Sequence, residues 1–168
     1  MKEQPDLLRL DGGSRAVTFA RVLAPERVVI LEAQSKREAL SELVSILATA
    51  TEISNGEELA AAMVAREELM STGIGLHVGV PHVRLDSISD IVMAVGLAPH
   101  GLPDYESIDG LPVYLVFAIA ANVSQHKEYI QLLARVSHLV KDAARRQQLL
   151  STRTADDLYT GIMIDEDI

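Results

Sequence analysis

Residues 113–120 read VYLVFAIA, an unbroken apolar run rich in β-branched and aromatic side chains. It is the strongest strand signal in the chain. The longest apolar stretch around it, residues 111–121, is strand length and well short of the ~20 residues that a membrane span needs. Residues 91–96 (IVMAVG) repeat the signal as a second buried strand, and residues 27–31 (RVVIL) as a short third one. A chain of 168 residues that is 48% hydrophobic can cover such strands with a real core, in one domain with a loose end. That core is aliphatic, because there is no Trp and only two Phe.

Helical patterns separate the strand signals. Ser35 is placed as an N-cap with Glu38 three residues on, a capping box, and Leu40, Leu43, Val44 and Leu47 follow at helical spacing. Ser54 or Asn55 opens a second helix running to about Met70, with Arg66 and Glu67 in its last turns. Gly73 and Gly75 mark a turn, residues 78–80 a short strand and residues 97–110 a Pro/Gly-rich loop. After Asn122 a helix carries Leu132, Val136, Leu139 and Val140 on one face. A second helical piece covers residues 143–150, and Thr154 caps a short helix before an acidic tail at 164–168. Residues 1–20 are polar and irregular, with a turn at Asp11-Gly12-Gly13-Ser14. Alternating helices and strands give the class α/β.

Several functions lose their warrant at once. A formal net charge of -9 argues against nucleic acid or an anionic membrane as the main partner. The absence of cysteine excludes disulfide scaffolds, thiol nucleophiles and Cys-based zinc sites. The N-terminus lacks the apolar core of a signal peptide, so the expected location is cytoplasmic. Gly73, Gly75 and Gly79 are spaced G-x-G-x-x-x-G and run into a strand, unlike a dinucleotide fingerprint; P-loop and nucleophile-elbow patterns are missing. The five histidines show no metal-ligand spacing, and neither a metal nor a cofactor is expected.

The stretch STGIGLHVGVPHVR, residues 71–84, is the unusual one. Neutral imidazole can attack phosphorus near physiological pH if its ring is exposed and fixed in orientation. Pro81 stiffens the backbone just before His82. In an extended segment His82 shares a side with Val78 and Val80, and His77 lies on the other, toward solvent. A Pro-His pair ending a strand is by itself most often only a turn. His100 and His138 read as structural or solvent-facing residues.

The run Arg66-Glu67, Ser71-Thr72-Gly73-Ile74-Gly75, Val80-Pro81-His82 resembles the enzyme IIA component of the fructose/mannitol class of the bacterial phosphoenolpyruvate-dependent sugar phosphotransferase system, a family that includes the nitrogen-regulatory enzyme IIA proteins. DGLPVYLVFAIAA, HKEYIQLLARVSHLVKD and STRTADDLYTGI extend the resemblance over residues 21–163. It implies a single-domain mixed β-sheet flanked by helices on both sides. It also implies that His82 is the phosphorylated nucleophile, His126 the second active-site histidine, Arg66 the cation on the phosphoryl group, and Ser71 and Thr72 the polar, phosphoryl-binding pair. His77, where many relatives carry glycine, and Gly79, where many carry a small residue such as alanine, depart from the pattern. The implied role is a phosphocarrier: His82 takes a phosphoryl group from the histidine-containing phosphocarrier protein and passes it to an enzyme IIB partner. The alternative is a regulatory enzyme IIA whose phosphorylation state controls binding to a target protein. Arg66, Arg84 and Lys127 are expected to cluster at the docking face, away from the acidic residues.

Overall fold

The computed structural model describes residues 16–164, so the Asp11–Ser14 turn and the acidic tail beyond Ile164 lie outside the described residues. The two long apolar runs lie at the middle of a six-stranded mixed sheet. They are β5 (Val92–Leu102) and β6 (Val113–Ala121), paired antiparallel. On one side β1 (Val28–Ile30) runs parallel to β5. On the other, β3 (Val78–Gly79) and β4 (His82–Arg84) both run parallel to β6, and β2 (Gly73–Gly75) pairs antiparallel with β3.

Alternation along the two central strands divides the core. Met93, Val95 and Leu97 of β5 join Leu115, Phe117 and Ile119 of β6 on one face. That face is covered by α1 (Phe19–Val22), α4 (His126–Lys141), α5 (Ala143–Leu150) and α6 (Ala155–Met163). Val92 and Ala94 join Val116, Ala118 and Ala120 on the other face, under α2 (Lys36–Leu47) and α3 (Gly56–Leu69). A sheet apolar on both faces needs two helical layers, and this chain supplies them.

The helix starts obey their capping signals. Thr18, Ser35, Asn55, Asp142 and Thr154 each accept a backbone N–H at the starts of α1, α2, α3, α5 and α6. The capping box at Ser35 is shifted by one residue, since the Glu38 carboxylate accepts from the Gln34 N–H. Among the described α-helices α4 alone begins without a side-chain cap.

Three local expectations are corrected. Residues 97–110 are not all loop: β5 continues to Leu102, with Pro99 inside an irregularity where the pairing with β6 shifts between Leu97 and Leu102. A bulge is where a strand tolerates a residue that cannot donate. Gly73 and Gly75 belong to β2, and the turn itself is Leu76-His77, both with left-handed backbone (φ 59° and 66°). Gly73 serves packing: a Cβ there would lie 2.2 Å from the Glu106 carbonyl oxygen. Order also begins earlier than the irregular 1–20 reading: Val17 and Phe19 are buried in the core, and Thr18 caps α1.

Candidate functional site

β4 is continuous in direction with β3 but separated from it by Val80-Pro81, and both lie against β6. His82 pairs with Ile119 near the end of β6, and the chain leaving β6 starts α4 at His126. The same sheet end receives the C-terminal turn of α3, which carries Arg66. An open recess of about 560 Å³ results, lined by Arg66, His82, Arg84, His126 and Tyr129, with Leu69 and Val123 at its edges. No Asp or Glu lines it among the described residues, and Lys127 is not in its wall.

The His82 ring is half-buried and held from two sides. Its Nδ1 is 2.9 Å from the Val80 carbonyl oxygen, and the Tyr129 ring lies 4.7 Å away, tilted by 31°. A carbonyl oxygen only accepts, so Nδ1 carries the proton and Nε2 keeps the free lone pair. Burial lowers the pKa of the ring, and the nearby cations Arg66 and Arg84 lower it further. The Val80 hydrogen bond and the charge of Glu67 oppose this without reversing it. The ring is thereby biased toward the neutral, nucleophilic form.

Arg66 donates to the Met70 carbonyl oxygen at 2.8 Å, which closes the end of α3 and fixes the side chain beside the recess. Arg84 donates to the Val123 carbonyl oxygen at 3.3 Å, tying β4 to the segment before α4. His126 is exposed at the first position of α4, where the first backbone N–H groups have no side-chain acceptor. The turn before it is pinned by Gln125, which accepts from the Asn122 N–H and donates to Asp90 at 2.7 Å. Burial pushes the Asp90 carboxyl up, but hydrogen bonds from Gln125, the Ile91 N–H and Arg21 together hold it below the usual carboxylate range.

Ser71 and Thr72 adjoin the site in a second recess shared with Arg66 and His82. Their hydroxyls are committed elsewhere. Ser71 donates to the Glu106 carbonyl oxygen at 2.6 Å, and Thr72 donates to Glu67. His77 departs from the solvent-facing expectation. It is half-buried, with Nδ1 2.8 Å from the Pro112 carbonyl oxygen and its ring edge-on to Tyr114. The left-handed turn, and not strand alternation, sets its direction. His100 and His138 are exposed, and no group of three or more His, Asp or Glu side chains suited to a metal occurs among the described residues. Sequence reasoning missed Tyr129, although its position three residues after His126 puts both on one face at the start of α4.

The family described as "Phosphoenolpyruvate-dependent sugar phosphotransferase system, EIIA 2" matches residues 21–163. The fructose-specific EIIABC component of Bacillus subtilis is 33% identical over 126 residues, covering 75% of this chain but only 20% of that protein. A nitrogen regulatory protein of Bradyrhizobium diazoefficiens is 32% identical over 146 residues, covering 85% of this chain and 93% of that one. Among solved structures, Escherichia coli mannitol enzyme IIA, in its complex with phosphorylated mannitol enzyme IIB, superimposes with a TM-score of 0.70 at 24% identity, over 83% of this chain and 96% of that chain. This chain belongs to the EIIA 2 family of the phosphotransferase system and is a phosphotransfer component of that type.

Proposed function

We propose that, as a member of that family, this protein is a cytoplasmic phosphocarrier in which His82 Nε2 is the atom phosphorylated. The reading is carried by one observation: the Val80 carbonyl occupies His82 Nδ1, so the remaining nitrogen lone pair belongs to a ring that lines a cationic recess. In the forward step Nε2 attacks the phosphorus of a phosphohistidine on the histidine-containing phosphocarrier protein. A new P–N bond forms as the old one breaks, and the donor imidazole leaves with the electron pair. Nδ1 keeps its proton, so the phosphorylated ring bears a positive charge that the Val80 carbonyl stabilises. Arg66 and Arg84 offset the charge on the three phosphoryl oxygens. His126 and the uncapped N–H groups of α4 offer further donors to the same anion. Ser71 and Thr72 shape this wall through their backbone, since their hydroxyls are engaged.

An enzyme IIB of the fructose/mannitol type is the acceptor in this reading, supported by the EIIABC relative and by the IIB complex of the mannitol structure. A second reading, a regulatory enzyme IIA, is favoured by the match to nearly the whole length of a nitrogen regulatory protein. Incubation with phosphoenolpyruvate, enzyme I and the phosphocarrier, read by intact mass, tests the common core. Uptake should vanish in His82→Ala, persist in part in His126→Ala and persist in His77→Ala. Undiminished uptake by His82→Ala would sink the assignment. Discharge of the phosphorylated protein onto a fructose- or mannitol-type IIB supports the transport branch, and its retention supports the regulatory one.

A further inference from the structure

Arg66 and Glu67 end α3 side by side, yet only the arginine lines the recess. Glu67 is 9% exposed, and a carboxylate buried this close to the nucleophile is costly unless its partners compensate. Oε2 lies 2.7 Å from the Lys36 ammonium, a contact of charge that is not aligned as a hydrogen bond. Oε1 accepts a hydrogen bond from the Thr72 hydroxyl. The Tyr105 hydroxyl is 2.6 Å from Thr72 Oγ1. A carboxylate only accepts, so the single Thr72 proton goes to Glu67, and the Tyr105 hydroxyl donates to Thr72 and, at 3.4 Å, to Glu67 Oε1. Burial first, and then the charge of Glu67, push the Tyr105 hydroxyl pKa far up, which keeps that donor protonated. The ammonium also lies 4.6 Å over the Tyr105 ring and 3.4 Å from Ser71 Oγ.

The cluster reaches the nucleophile through the backbone. The Thr72 carbonyl accepts the Val80 N–H at 3.0 Å, and the Val80 carbonyl accepts the His82 Nδ1–H at 2.9 Å. Glu67, Thr72, Val80 and His82 therefore form one directed chain of hydrogen bonds that begins at a buried ion pair and ends on the ring. We propose that Glu67 is a positioning residue for phosphoryl transfer. With Lys36 as counter-ion it pins Thr72, and through Thr72 and Val80 it holds His82 in the Nδ1–H tautomer with Nε2 free. The inference rests on the reading that His82 accepts the phosphoryl group, and it assigns Thr72 the task of relaying this restraint.

The test separates restraint from mere packing. Glu67→Leu combined with Lys36→Met replaces the ion pair by apolar groups of similar volume, a change that leaves stability intact or raises it. Glu67→Gln with Lys36→Met keeps an acceptor for Thr72 without the charge. The ring nitrogens of His82 are read by 15N NMR without any donor, and uptake from the phosphorylated carrier is read as maximal rate and donor KM. In the Leu/Met protein the ring should lose its fixed tautomer, and the maximal rate should fall roughly ten- to a hundredfold at unchanged KM, the scale of a small misplacement of the nucleophile. The Gln/Met protein should recover most of both. Should the Leu/Met protein fail to fold, Thr72→Val delivers the same loss and Thr72→Ser its recovery. A folded Leu/Met protein, or Thr72→Val protein, with wild-type tautomer and rate overturns the proposal. If the tautomer responds as stated while wild-type protein takes up no phosphate, the phosphocarrier reading fails and the restraint stands.

Discussion

Gly79 offers a sharp test of how tightly the wall behind the nucleophile is packed. It sits on β3 between Gly73 and Val116, and Tyr105 lies directly over it. A Cβ at 79 would come 2.8 Å from Tyr105 Cζ, 2.9 Å from its hydroxyl oxygen and 3.2 Å from Cε1. Carbon atoms settle at about 3.5 Å or more, so Gly79→Ala requires the ring to retreat by roughly 0.7 Å. It has nowhere to go, being 1% exposed, hydrogen-bonded to Thr72 and covered by the Lys36 ammonium. Overpacking of this kind costs about 1–3 kcal/mol. The smaller freedom of alanine in the unfolded chain returns about 0.4–1 kcal/mol. The net expectation is a loss of about 1–2 kcal/mol, or roughly 2–8 °C in Tm for a domain of this size. Urea unfolding of Gly79→Ala, Tyr105→Leu and the double variant measures it. The cycle should show a coupling of about 1 kcal/mol or more, because the shorter side chain removes the obstacle. Wild-type stability of Gly79→Ala with Tyr105 present, or an equal loss in the Tyr105→Leu background, refutes the reasoning.

Two further expectations follow from the electrostatics around the recess. His82 titrates below the ordinary 6.5, so NMR titration should keep its ring neutral through pH 7 and show Arg66→Ala moving the midpoint upward. Folding favours the neutral ring, so its contribution to stability is complete above the unfolded pKa of about 6.5 and is lost as pH falls through the folded value; urea titrations between pH 7.5 and 5 should fall accordingly, and less steeply in Arg66→Ala. Asp90→Ala removes the acceptor of Gln125 and of Arg21, and should cost about 1–2 kcal/mol by urea unfolding. Since Gln125 immediately precedes His126, the same variant should slow discharge of the phosphorylated protein more than its uptake, and equal slowing of both would contradict the assignment of Gln125 to the α4 start.

The framework was legible because local rules set it. The run VYLVFAIA became β6 with one further residue, and the capping signals at Ser35, Asn55 and Thr154 open helices where they stand in the sequence. His82 lies on the side of Val78 and Val80, as alternation requires: it meets Tyr129 of α4, whereas Gly79 faces Tyr105 on the opposite layer. What stayed hidden depends on contacts distant in sequence. Nothing near Glu67 announces Lys36 or Tyr105, and an Arg-Glu pair on a helix reads equally well as a solvated couple. The turn at Leu76-His77 escaped because two non-glycine residues take the conformation that the neighbouring glycines advertise. Its cost is met by ties to the 107–112 segment, where Asp109 accepts the Leu76 N–H at 2.8 Å and Pro112 holds the His77 ring.

The pairing of β4 with β6 also governs where the chain can change length. One residue inserted between Val80 and Arg84 would slip the register and turn His82 toward α2 and α3, with Val83 displaced toward α4. One inserted between His126 and Leu132, inside α4, would swing the second histidine by about 100° relative to the buried face of that helix. A deletion in the strand flips the same side chains, and one in the helix swings the histidine the other way. The connection from α5 to α6 at residues 151–154 carries none of the recess, so insertions there leave both histidines in its wall. Drift in length is thereby barred from two short stretches far apart in the sequence, whatever happens to the amino acids within them.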